Sequence, residues 1–421
     1  MHRFLCTQLH FCVNDSKYFF RKNKFVAAST LVLCGYGFAK ESSFEVTPVP
    51  PGVREYLKLD DSHQKRVSVG GFSVLGSKRV SDFALKEAAF LIRKMIGQRD
   101  DLLTALNKSK TRFVIMARDE YTTDVPEHLD LRPAIYWDQR ARGLGATDER
   151  PAVSCGEENL LCLPGDPYDT ENILIHELAH ALHQMAIVFI HPDFQEKLEE
   201  CFELATKEKI WEGTYASTNV YEYWAEGVQS WFDTNRENDH DHGSIDTREE
   251  LKKSDPRLAQ LISEILGETD WRYQRPQDRK QPSTHLKGFD LKKGKSFAWP
   301  ERFARWKKDF DQGLVSLAPE GSPEIKPIKS NDKKVRKSDF SRKRSMLYFH
   351  NLTQKSIVLE WIDFEGNPRQ SRILRHRDHA EISSFVGHVW QIKDYATGSV
   401  GSRFVLPKNN ASQLTLKNPK L

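Results

Sequence analysis

His176-Glu177-Leu178-Ala179-His180 reads HExxH inside an apolar, helix-forming run. Histidines four apart stand about one helical turn from each other, so both imidazoles leave one face and can converge on one metal ion. Glu177, beside the first of them, is placed to take a proton from a metal-bound water. Ile173, Leu174, Leu178, Ala181, Leu182 and Met185 give an apolar face at helical spacing. Asp169, Thr170 and Glu171 supply capping oxygens and negative charge where a helix should begin. With no Pro or Gly from Glu171 to Ile190, the pattern predicts a helix over that stretch. The alternative is a buried helix whose histidines only hydrogen-bond.

A third ligand would decide between these. Downstream, Tyr215-Ala216-Ser217-Thr218-Asn219-Val220-Tyr221-Glu222-Tyr223-Trp224-Ala225-Glu226 again carries two acids at i, i+4 on one face of a helix. One carboxylate can ligate the metal while the other accepts the ring N–H of a liganding histidine and fixes its tautomer. Two carboxylates on a helix this rich in aromatic residues are costly to bury without a cation between them, whereas a solvent-facing pair would cost little.

HExxH followed by Tyr-x6-Glu-x3-Glu resembles the gluzincin metallopeptidases, and within them the catalytic domain of anthrax lethal factor and its relatives. The match covers roughly residues 165–235, with Tyr215, Thr218, Asn219 and Glu222 standing where that family has its run before the liganding glutamate. The resemblance implies one zinc ion per chain held by His176, His180 and Glu222, with Glu177 as general base. It also implies Tyr215 as oxyanion donor and Glu226 as the partner of a ligand histidine. Two imidazoles and one carboxylate leave zinc with net positive charge and an open position for water, a set suited to peptide hydrolysis. A non-catalytic binding protein with a structural zinc is the alternative; such a site needs neither Glu177 nor Tyr215.

His183, seven residues past His176, falls near the same face and is read as packing or hydrogen-bonding beside the site, with ligation as the alternative. His240 and His242 lie in a polar run, Asn238 to Gly243, read as a solvated turn, with a substrate-side role or a second metal as the alternatives.

The 421 residues leave room for two or three domains. Basic side chains number 63 against 59 acidic ones, a balance that makes no case for nucleic-acid binding. Arg21, Lys22 and Lys24 precede the apolar run Phe25–Ala39, the form of a secretory signal carrying an N-terminal extension over residues 1–39. The expected location is therefore secreted or cell-envelope, and contact with a membrane follows only if that segment stays uncleaved as an anchor. No later segment is read as a membrane span. Cys155 and Cys162 are close enough for a small disulfide loop, leaving Cys201 as a free thiol on a helix.

The fold expected is an α+β, zincin-like metallopeptidase domain over residues 45–318, followed by an all-β sandwich. Val67–Val69 and Phe72–Leu75 read as a strand pair around Gly70-Gly71. Ser81-Asp82 caps a helix ending near Gly97, and Phe113–Met116 reads as a buried strand. Gly143-Leu144-Gly145 reads as a loop, an ordinary connection first and a border of the cleft as the alternative. Residues 319–344, with Pro319, Pro323, Pro327 and a dense Lys/Arg series, read as a solvated basic linker.

Residues 345–421 hold short strand-like runs split by turn residues, the pattern of a β-sandwich. This stretch resembles the β domain of the von Hippel–Lindau tumour suppressor. Phe349-His350-Asn351, Trp361 to Gly366 and Ser384 to Trp390 carry the match. The resemblance implies a peptide- or protein-binding surface, with Ser384, His388 and Trp390 at the positions that form a hydroxyproline pocket in that family. The tyrosine of that pocket aligns with Ser371, which removes one aromatic wall.

Overall fold

In the computed structural model, which describes residues 44–417 apart from 240, 282 and 330–335, the apolar runs of the N-terminal part form one six-stranded sheet. The strands are β1 (Thr47–Pro48), β2 (Lys65–Val69), β3 (Phe72–Gly76), β4 (Arg112–Met116), β5 (Gly143–Leu144) and β6 (Ala152–Gly156), ordered β1-β2-β3-β4-β6-β5. β2 and β3 form the hairpin expected around Gly70 and Gly71, whose positive φ values suit glycine. β3, β4 and β6 run parallel, and β5 lies antiparallel to β6 at the sheet's edge. The expected export segment, 1–39, lies outside the described residues.

Ser81 caps the helix Asp82–Ile96 by accepting from the Phe83 amide, and the helix ends at Gly97. Its buried face joins the core with the sheet and with the helix that carries HExxH. That motif helix differs from expectation at both ends. Asn172, not residues 169–171, caps it by accepting from the Ile175 amide, and regular α-helix runs Ile173–Leu182. A π-helical turn, His183–Ile187, carries it into Val188–Ile190. Ile173–Ile190 is in fact long and apolar enough to span a membrane, a correction to the sequence reading, but most of it is buried as a core helix.

Three further readings are corrected. Gly143-Leu144 is an edge strand rather than a loop, because β6 offers it a free side for pairing. Cys155 and Cys162 are not bridged: the first is buried in β6, and the second has its Sγ 3.8 Å from the Tyr273 hydroxyl. The Pro319–Arg344 stretch is not a solvated linker throughout. Ile325 is buried in the β core, and the short strand β7 (Ile328–Lys329) pairs with Arg403 and Ser402.

The chain divides into two compact units between Trp299 and Pro300, earlier than the 318/319 boundary read from composition. The helix Glu301–Asp311 goes with the second unit because its buried Phe310 stacks on His350. The second unit adds seven strands to β7: β8 (Arg344–Asn351), β9 (Ile357–Ile362), β10 (Pro368–Leu374), β11 (His379–Phe385), β12 (Val389–Asp394), β13 (Val400–Val405) and β14 (Ala411–Leu416). They form sheets β10-β9-β12-β13-β7 and β11-β8-β14 that share one core, with Phe349 of one facing Phe404 of the other at 6.3 Å.

His350 yields a test of this packing. Its ring lies 4.3 Å from that of Phe310, and burial pushes its pKa down to about 4. An unfolded chain takes up that proton near pH 6.5. Between about pH 6.5 and pH 4 the unfolded state therefore binds more protons, and stability falls as pH falls. In His350→Phe the drop in urea midpoint from about pH 7 to about pH 4.5 should shrink. An unchanged drop would show that His350 does not carry it.

Candidate metal centre

The motif helix and the helix Val220–Trp231 pack side by side, tied by the Trp224 indole N–H donating to the Ala179 carbonyl at 3.0 Å. The second helix begins where Asn219 breaks the preceding 3-10 turn, Tyr215–Thr218, and caps it by accepting from the Tyr221 and Glu222 amides. That cap sets Glu222 in the first turn, facing the two histidines.

The three expected ligand side chains come together. His176 Nε2 lies 3.1 Å from His180 Nε2, and Glu222 Oε2 lies 3.3 Å and 3.2 Å from them. All three are buried. Donors on a tetrahedral ion with bonds of about 2.0–2.1 Å stand about 3.3–3.4 Å apart, so the triangle has the size such an ion needs.

The donor chemistry fits as well. Gln229 donates its amide N–H to Glu171 Oε2 at 3.0 Å, which turns its Oε1 toward His176 Nδ1, 2.7 Å away. His176 therefore carries its proton on Nδ1 and presents a lone pair at Nε2. That lone pair meets a second imidazole nitrogen and a carboxylate oxygen, an arrangement that calls for a positive charge in the middle. Burial disfavours a charged His176, yet Glu222 beside it and the charges of Glu177 and Glu226 raise its pKa well above the usual value. Burial likewise opposes ionisation of Glu222, but His180 and His176 hold its carboxyl well below the carboxylate range. These three buried donors are a group that could hold a metal ion.

Glu177 sits on the same helix, buried, with Oε2 lacking a hydrogen-bond partner among the described residues. Burial raises its pKa, against the pull of His176 and His180. The chain just after β5 passes close by: a Cβ on Gly145 would stand 3.0 Å from His180 Cβ and 3.5 Å from Glu177 Oε2. Tyr215 is buried with its ring 6.4 Å from that of His176.

The remaining expectations divide. Glu226 Oε1 is 3.5 Å from His176 Nδ1, so the nearer partner of that ring is Gln229, which sequence reasoning missed. The signal was present: Gln229 is seven residues past Glu222, two turns along the same face. Glu226 instead accepts from Asn235 Nδ2 at 3.1 Å and faces His242 Nε2 at 3.6 Å. His242 is thus packed beside the site rather than solvated, while His240 lies outside the described residues. His183 hydrogen-bonds Gln195 at 2.7 Å and packs against Phe194, Tyr221 and Trp224, away from the ligands.

In the second unit Ser384 and His388 hydrogen-bond at 3.0 Å, and the Trp390 indole N–H donates to the Ser384 hydroxyl at 3.3 Å. His388 lies against the Trp361 ring at 5.2 Å, with its Nε2 unpartnered.

The family model of the von Hippel–Lindau β domain matches residues 336–403. No curated protein matches the chain. Among solved structures, the Pro-Pro endopeptidase PPEP-2 from Paenibacillus alvei is 18% identical, with 46% of this chain and 95% of that chain covered and a TM-score of 0.29.

Proposed function

We propose that this chain is a zinc-dependent peptidase of gluzincin type on a zincin-like fold, with a C-terminal β unit that binds a peptide or protein. The observation that carries this reading is the convergence of His176, His180 and Glu222 at 3.1–3.3 Å, with the Glu177 carboxylate on the same helix.

Zinc, when held by those three residues, supplies Lewis acidity to the scissile carbonyl and brings a water toward neutrality in pKa. Glu177 takes the proton of the attacking water as its oxygen bonds to the carbonyl carbon. The same carboxyl delivers that proton to the amide nitrogen as the C–N bond breaks. The Tyr215 hydroxyl donates to the developing oxyanion. An extended peptide adds to β5 by main-chain hydrogen bonds; among the described residues no strand occupies that edge. Metal analysis of the purified chain, with chelator-sensitive hydrolysis of a peptide library, tests the whole. Metal bound without hydrolysis would point to the non-catalytic zinc-containing protein.

The role of β5 has its own test. A Cβ at Gly143 would come within 2.4 Å of Ile173 Cγ2 and 3.0 Å of Glu177 Cγ. Gly143→Ala should keep its metal and lose up to about 10²-fold in turnover, the scale of a 1 Å misplacement. Turnover at the parent level would remove β5 from the substrate path.

In the β unit, Ser384, His388, Trp390 and Trp361 form the patch that would receive the peptide. Support comes from the unpartnered His388 Nε2 beside the Trp361 ring.

A further inference from the structure

We infer that Gln229 is the positioning residue of the metal centre: its amide, oriented by Glu171 and Arg236, fixes the tautomer and ring direction of His176. This rests on the metal reading above and adds a residue to it.

Gln229 is fully buried and engaged at both ends. Its Oε1 accepts from His176 Nδ1 at 2.7 Å, and its Nε2 donates to Glu171 Oε2 at 3.0 Å. The other Glu171 oxygen pairs with Arg236 Nε at 2.5 Å, and the Arg236 guanidinium lies over the Tyr168 ring at 5.3 Å. The chain of contacts has one polarity. Glu171, ion-paired with Arg236, turns its other carboxylate oxygen to the Gln229 amide, which therefore presents its NH₂ to Glu171 and its oxygen to His176. A flipped amide would set its oxygen against the Glu171 carboxylate. His176 is thereby obliged to offer Nε2 as a lone pair, the form a metal needs.

An amide in this place also differs chemically from the carboxylate expected at Glu226. It orients the ring without adding a further charge beside Glu226, whose Oε1 stands 3.5 Å from His176 Nδ1, and its own anchor Glu171 is ion-paired with Arg236. The two imidazoles and Glu222 thus keep a single negative charge around a divalent ion.

The test is cobalt titration of the full chain in competition with a chelator, read by the visible d–d band, together with zinc affinity. Gln229→Leu should lower metal affinity roughly 10–100-fold, as loss of a ligand's outer partner does. Gln229→Glu keeps an acceptor for His176 but sets a carboxylate against Glu171, and should also weaken binding. The exchange Glu171→Gln with Gln229→Glu restores the donor–acceptor pairs between residues 171 and 229 and from 229 to His176, and should recover most of the affinity, which a purely structural role would not require. Gln229→Leu at parent affinity, or an exchange variant no better than Gln229→Glu, overturns the inference. If Gln229→Leu fails to fold, the second comparison still decides. A parent chain that takes up neither cobalt nor zinc overturns the metal reading itself, and the inference with it.

Discussion

If the proposed peptidase reading holds, Glu177→Gln should keep the bound metal and lose roughly 10²–10⁴-fold of peptide hydrolysis, the usual contribution of a positioned general base. The side chain is not among the three converging donors, so its replacement leaves the cation's ligands in place. Gln has nearly the same shape and fills the same buried space, but it cannot take up a proton. The native carboxyl is well suited to that task. It is buried, its Oε2 has no hydrogen-bond partner among the described residues, and burial lifts its pKa against the pull of the two histidines. Measured by metal content and by turnover of a cleaved library peptide, the variant separates chemistry from binding. Hydrolysis at the parent rate would remove Glu177 as the base.

Glu158→Ala should cost about 3–5 kcal/mol of stability, because it strips the partner from a buried cation. Arg142 and Glu158 are both wholly excluded from solvent and meet as a two-pronged pair at 2.5 and 2.9 Å. Arg142 also donates to the carbonyls of Ala117 and Glu120 and lies over the Phe297 ring. With Glu158 gone, the guanidinium keeps those dipoles but no counter-charge. Replacing both residues with apolar ones of similar volume should recover a large part of the loss, as in other buried pairs. Arg142 directly precedes β5, so the single variant should also raise KM for peptide. Urea unfolding that shows a loss below about 1 kcal/mol would show the pair to be dispensable.

Much of the site is legible in the chain itself. Any α-helix through 176–180 puts the two histidines on one face, and any helix through 222–229 aligns Glu222, Glu226 and Gln229, because 3.6 residues per turn leaves no other choice. The hairpin at Gly70-Gly71 and the strand-like runs after 344 are local in the same sense. What those rules do not choose is which aligned side chain meets a partner from elsewhere. Gln229 lies nearer His176 Nδ1 than Glu226 does, at 2.7 against 3.5 Å, with its amide held by Glu171, 58 residues away. β5 became a strand because β6 had an open edge, and Ile325 joined a core that its proline-rich, basic neighbours concealed. Spacing along the chain thus determined the faces and the chemistry they carry. Packing between distant segments decided the contacts, since burial and hydrogen-bond satisfaction are settled only when those segments meet.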